Sequence, residues 1–169
     1  MSIELHTPLT EKEISSLNVG DTIYLSGTIL CGRDAVLPKI VSMLRNGTIS
    51  DLGIDLQGGV MFHTAVSPAG VGPTSSNKLE IESSIEPLSA GGIRLHLGKG
   101  ALGPDTVAAL ERHHAVYAII PPVTALLAQQ TRSQCVAAFP ELGMEALHLL
   151  TVERYPAVIA AAKGRSIYE

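Results

Sequence analysis

The stretch "IRLHLGKGALGPDTVAALERHHAVYAII", residues 93–120, decides the fold class. "IRLHLG" reads as a strand that ends at the turn Gly98-Lys99-Gly100. "PDTVAALERHH" then has the spacing of an amphipathic helix, and "AVYAII" is a fully apolar strand. "VTALLAQQ" continues as a helix and "QCVAAF" as another strand, so residues 93–139 alternate between the two element types. Such alternation calls for parallel strands with helices packed on their sheet.

The chain on either side extends this pattern. "TEKEISSL" is a short helix opened by a capping box of Thr10 and Glu13. "TIYLSGTILC" is β-branched and partly alternating, and reads as a strand. Residues 34–45, "DAVLPKIVSMLR", place Val36, Leu37, Ile40, Val41 and Leu44 at helical spacing, with Asn46-Gly47 as the stop. "GVMFHTAV" predicts a second strand, "SPAGVGP" a loop, and residues 75–86 a polar helix. "LHLLTVERYPAVIAA" closes the chain in extended form. No repeat, low-complexity segment or linker interrupts it. The expected architecture is one layered α/β domain over residues 1–169, a mixed sheet with helices packed on it.

Composition narrows the function. At 46% hydrophobic and 17% charged the chain can bury a sizeable core, and at 4% aromatic with no Trp that core must be aliphatic. A net charge of −4 argues against general attraction to nucleic acid or an anionic membrane. The most apolar run is split by Pro121-Pro122 and is too short to span a bilayer. "MSIELHTPLTEKE" has acids early and no apolar core, so no signal peptide is expected. Cys31 and Cys135 read as reduced, buried thiols of a cytoplasmic protein. Two cysteines cannot ligate a four-cysteine iron–sulfur cluster. The six histidines have no metal-ligand spacing. His63 and His96 read as ordinary strand residues, and His113 and His114 as a helix C-terminus. Glu80, Glu82 and Glu86 read as a solvated acidic face.

Three short motifs could hold an anion. In "CGRDAVLPK", Arg33 sits where a strand hands over to a helix, and a guanidinium there suits a carboxylate. The simpler reading has Asp34 capping the helix and Arg33 pairing with it at the surface. In "GPTSSNKLE", Gly72-Pro73 fix a tight entry. Thr74, Ser75 and Ser76 then offer hydroxyls and N–H groups at a helix start, and Lys78 adds charge. An ordinary N-cap is the simpler reading, although three hydroxyls exceed what a cap needs. In "LGKG", Lys99 stands between glycines at a strand end, where α/β sheets place their ligands. It reads equally as a solvated turn lysine. The sequence lacks the phosphate-loop and dinucleotide fingerprints, a nucleophile elbow and a Cys-x-x-Cys pair.

In this order, "GRDA", "GPTSS.K" and "GKG", with "DTIYLSGTI" before them and "ELGMEALHLLTVERYPAVI" after, resemble the β subunit of the class I iron–sulfur fumarate hydratase and L-tartrate dehydratase family. The resemblance runs from about Leu5 to Tyr168. It implies a swivelling β/β/α fold and a hydro-lyase that interconverts fumarate and malate, or handles a close C4 dicarboxylate such as tartrate. It also implies a separate α subunit, in a heterotetramer, carrying a [4Fe–4S] cluster, with no cofactor or metal bound by this chain alone. By the same resemblance Arg33, Ser75, Lys78 and Lys99 bind substrate, and Thr74 and Lys99 take part in proton transfer. Three departures stand out. Leu37 occupies the histidine position of "GRDxAH", Lys78 replaces an arginine, and "PPVTA" stands for "GGxAA". The first two favour an alternative, a non-catalytic relative that keeps the anion pocket as a binding or regulatory module.

Overall fold

Strand β2 (Thr22–Cys31) organises the molecule, whose computed structural model describes residues 2–121 and 124–168. Its β-branched sequence alternates faces, which puts Ile23, Leu25, Ile29 and Cys31 in one core and Leu30 in another. The other strands are β1 (Ser2–His6), β3 (Val60–Phe62), β4 (Thr64–Ser67), β5 (Gly70–Thr74), β6 (Leu95–Gly98), β7 (Val116–Ile119), β8 (Thr131–Ala138), β9 (Leu147–Ala162) and β10 (Arg165–Ser166). The α-helices are α1 (Glu11–Ser15), α2 (Leu37–Asn46), α3 (Lys78–Ala90), α4 (Pro104–Arg112) and α5 (Thr124–Gln129).

Strands β1, β2, β3, β6 and β7 run parallel, as the strand–helix alternation requires, but β8, the last strand of the alternation over residues 93–139, pairs antiparallel with β9 instead. Strand β9 runs antiparallel to both β2 and β7, so the sheet closes on itself through β2, β3, β6, β7 and β9. Inside this ring lies an aliphatic core of Ile23, Leu25, Val60, Leu95, Leu97, Val116, Leu150 and Ile159, with Phe62 and Tyr155 meeting edge to face. Outside it, α2 packs Val36, Leu37 and Ile40 on Leu30 and Met61. Helices α3 and α4 cover Ala160 and Ala161 with Ile81, Ile85, Val107 and Leu110. The protein is thus mixed α/β, a sheet with helices packed on it. No helix among the described residues is long and apolar enough to cross a membrane.

Local expectations held where local chemistry decides. Thr10 and Glu13 form the reciprocal capping box, and Gly47 ends α2 in the left-handed region with φ 72°. Elsewhere tertiary contacts intervened. "GVMFHTAV" is not one strand. It breaks at His63, whose N–H donates to Leu97 O while its own carbonyl accepts from Ser75 N. The expected loop "SPAGVGP" folds back as part of the β4–β5 hairpin. Cys135 is exposed rather than buried, because β8 pairs only with β9 at the sheet margin. Val123, the first residue of the expected "VTALLAQQ" helix, lies outside the described residues.

Candidate functional site

Parallel strands end their carboxyl termini together, and the candidate residues collect there. Arg33 and Asp34 follow β2, His63 follows β3 and Lys99 follows β6. These strands are neighbours, and Gly32 N–H donates to Phe62 O just as His63 N–H donates to Leu97 O. The β4–β5 hairpin brings the hydroxyl-rich segment to the same edge. Lys99 is presented by a turn that Tyr117 supports from below. The Tyr117 hydroxyl donates to Gly100 O at 3.1 Å, and Gly100 has φ 83°, a conformation that favours glycine.

Lys78 and Lys99 face one cleft of about 370 Å³, lined also by Ser76, Ile81, Gly100, Ala101 and Leu102. Both lysines are exposed, and neither is in an ion pair among the described residues. Two ammonium groups without a counter-charge on one concave wall make a local anion trap in a chain of net negative charge.

Arg33 lines a second, tight crevice with Asp34, Leu37, His63, Ser75 and Glu80, and Ile81 belongs to both walls. Arg33 Nε lies 2.7 Å from Glu145 Oε2, a partly buried ion pair. Asp34 does not cap α2. The cap position is Val36 without a side-chain bond, and Asp34 Oδ1 instead accepts from Ser75 Oγ at 2.7 Å.

The hydroxyl segment also departs from a simple cap. Asn77 caps α3, accepting from Glu80 N–H, so Lys78 is the first helical residue. Ser75 is buried, its hydroxyl given to Asp34 and its N–H to His63 O. Ser76 is the hydroxyl on the wall of the lysine cleft. Thr74, half-buried, ends β5 opposite Thr64 and is on neither wall as described. Glu82, expected on a solvated face, instead accepts from Gly103 N–H and Thr106 Oγ1, pinning α3 to the start of α4.

The structure thus brings Lys78 and Lys99 together on one cleft. It sets Arg33 and Ser75 in the adjoining crevice and leaves Thr74 on neither wall. Glu145 and Tyr117 were not singled out from the sequence, Asp34 was read as a helix cap, and His63 and His96 were read as ordinary strand residues. Only Asn77 had a local signal, an Asn with Glu three residues on. Burial pushes the His63 pKa down to about 4, opposed by the charge of Asp34, and His96 falls well below its ordinary value for the same reason.

Among the described residues no group of three His, Cys, Asp or Glu side chains could hold a metal ion. Cys31 is fully buried and Cys135 exposed on a different strand, so the thiols of this chain do not fit a cluster site within it.

Comparison with known proteins places the chain in a family. The family model described as "Fumarase C-terminus" matches residues 1–169. The chain is similar to the L(+)-tartrate dehydratase subunit beta of Escherichia coli (strain K12), with 29% identity over 168 residues, 93% of this chain and 81% of the relative. It is 32% identical over 176 residues to a putative L(+)-tartrate dehydratase subunit beta of Methanocaldococcus jannaschii, covering 95% of this chain and 88% of the relative. A putative fumarate hydratase class I of Geobacillus stearothermophilus is 30% identical over 185 residues, 99% of this chain but 34% of that longer protein. With a family-model match over its whole length, this chain belongs to the fumarase C-terminus family, that of the β subunits of class I fumarases and tartrate dehydratases.

Proposed function

We propose that this chain is the β subunit of an iron–sulfur hydro-lyase acting on a C4 dicarboxylate, completed by an α subunit that carries a [4Fe–4S] cluster. The observation that supports it most is the convergence of Lys78 and Lys99, without acidic partners among the described residues, on one cleft near the carboxyl ends of parallel strands. Fumarate, malate and tartrate are dianions. Each carboxylate gains roughly 1.5–3 kcal/mol from a charge-assisted hydrogen bond, which makes paired cations the chief requirement of such a site.

In this reading Lys78 and Lys99 grip the substrate, and Arg33 engages one carboxylate when it turns from Glu145. Ser75 acts through Asp34, whose carboxylate it holds, and Ser76 offers a hydroxyl at the cleft wall. Thr74 is the proton-transfer hydroxyl, and the Lys99 ammonium stabilises the charge that develops next to the carboxylate. A cluster on the partner would supply Lewis acidity to the reaction. The family's swivelling β/β/α arrangement and a cytoplasmic heterotetramer belong to the same reading.

A specific observation favours a second reading, a non-catalytic anion-binding relative. Arg33 is engaged by Glu145, and Leu37 is buried in the crevice where the related motif has histidine. One experiment separates the two. The chain is mixed anaerobically with its cluster-loaded α partner, and fumarate absorbance is followed with fumarate, L-malate and tartrate supplied in turn. Turnover of any of them supports the hydro-lyase. Unchanged absorbance, with tight binding of malate or phosphate by the isolated chain in calorimetry, supports the binding module.

A further inference from the structure

Beneath the crevice lies a polar chain that the proposed chemistry does not use. Alternation along β3 and β6 sends Val60, Phe62, Leu95 and Leu97 into the ring, so His96 emerges on the opposite, helix-facing side. There its Nε2 meets Ser89 Oγ of α3 at 2.9 Å, and its Nδ1 meets His63 Nε2 at 3.1 Å. All three side chains are fully enclosed. The remaining nitrogen, His63 Nδ1, is buried with no hydrogen-bond partner among the described residues. His63 is also on the crevice wall with Arg33, Asp34, Ser75 and Glu80. An orphaned buried nitrogen costs about 1–3 kcal/mol, so its presence in an otherwise well-bonded core calls for a use.

Each imidazole is neutral, because burial disfavours the charged form, and a neutral ring carries one N–H. The chain therefore has two polarities. In one, Ser89 donates to His96, His96 donates through Nδ1–H to His63, and His63 turns an Nδ1–H toward the crevice. In the other every bond is reversed and His63 turns a lone pair there. The surrounding charges choose. Asp34 and Glu80 lie at the crevice end, while Arg94 is the charge that acts on His96 at the far end. Arg33 is the cation on the crevice wall, and Glu145 offsets it. A lone pair facing two carboxylates is repelled, whereas an N–H is attracted.

We propose that Ser89, His96 and His63 form a buried relay of hydrogen bonds, polarised toward the site, whose last N–H, at His63 Nδ1, faces the crevice and favours the Asp34 carboxylate through space, and with it the Arg33–Ser75 junction. His63 is on this account a positioning residue, acting on the site through Asp34. Bonds in series polarise one another, so the N–H that reaches the crevice is a stronger donor than an isolated imidazole.

The test uses the full chain labelled with ¹⁵N and imidazole ¹H–¹⁵N correlation spectra near neutral pH. His63 and His96 are both expected in the Nδ1–H tautomer. An Nε2–H form of either ring, or a protonated one, overturns the relay. The functional arm rests on the reading proposed above and compares His96→Leu with His96→Asn, whose side-chain amide donates from the place of Nδ1–H. With the α partner, His96→Leu is expected to raise KM for the dicarboxylate about tenfold, the loss of one directed bond. His96→Asn is expected to recover most of that loss with kcat unchanged. Equal losses in the two variants, or none in His96→Leu, overturn the positioning role. If the parent mixture shows no turnover, the hydro-lyase reading fails by itself, and the tautomers of the parent chain still decide the relay.

Discussion

The hydroxyl of Ser75 donates to Asp34 Oδ1 at 2.7 Å, joining the turn before α3 to the turn after β2 across 41 positions of sequence. This one bond fixes the two arms of the site relative to each other, because Arg33 precedes Asp34 and Lys78 follows Ser75. Ser75→Ala leaves a part-buried carboxylate one donor short, at a cost of about 1–3 kcal/mol. Urea denaturation midpoints of the two chains measure it, and an unchanged midpoint excludes the coupling.

Lys78 and Lys99 are exposed and in no ion pair among the described residues, so their removal bears on ligands rather than on folding. Lys99→Ala is expected to abolish turnover with the α partner. Lys78→Ala is expected to weaken dicarboxylate binding by ten- to a hundredfold, about 1.5–3 kcal/mol of charge-assisted bonding. Stability should move by no more than about 0.5 kcal/mol in either variant. Near-normal kcat in Lys99→Ala removes that residue from the site.

Tyr117 holds the Lys99 turn through Gly100 O. Burial pushes its phenol up, so it remains a donor at any working pH. Tyr117→Phe keeps the packing and removes one hydrogen bond, about 1 kcal/mol. The expected kinetic signature is a several-fold rise in KM with the fold intact by circular dichroism. Unaltered KM shows that the turn stands without the bond.

In the proposed reading Glu145, paired with Arg33, competes with substrate for its guanidinium. Glu145→Gln weakens that hold and is expected to tighten malate binding by the isolated chain several-fold in calorimetry, while lowering stability by about 1 kcal/mol or less. Weaker binding in the variant means that Glu145 aims Arg33 rather than restraining it.

Acid sensitivity follows from the buried histidines. His63 has a pKa near 4 in the folded chain against 6.5 unfolded, and His96 is lowered in the same direction. The unfolded state therefore binds more protons below about pH 6.5, and stability falls as the pH drops from there toward 4. It is fully present above that window. For His63 alone the loss is on the order of 3 kcal/mol. In the double variant His63→Leu/His96→Leu the fall in urea midpoint between pH 6.5 and 4.5 should shrink. An equal fall in both chains assigns the acid sensitivity to other groups.

The alternation over residues 93–120 was sufficient for the parallel pair β6–β7, since side-chain period and strand–helix order are local properties of the chain, but its continuation to residue 139 did not foretell the antiparallel β8. The capping box at Thr10 and the left-handed Gly47 were legible for the same reason. The motif lysine Lys99 could be read at a strand end because glycines flank it. The N-cap of α3 was legible in principle at Asn77, but the preceding hydroxyls concealed it.

What only the tertiary structure decided is which groups are partners. Arg33 finds Glu145, Ser75 finds Asp34, and His63 finds His96, all through pairings separated by dozens of residues. No local rule specifies them, because they depend on β2 pairing with β9, on β2, β3 and β6 lying side by side, and on a hairpin folding back over their ends. Sequence determined the elements and the chemistry available, whereas the closure of the sheet by β9 decided which side chains share a wall and which are sealed from water.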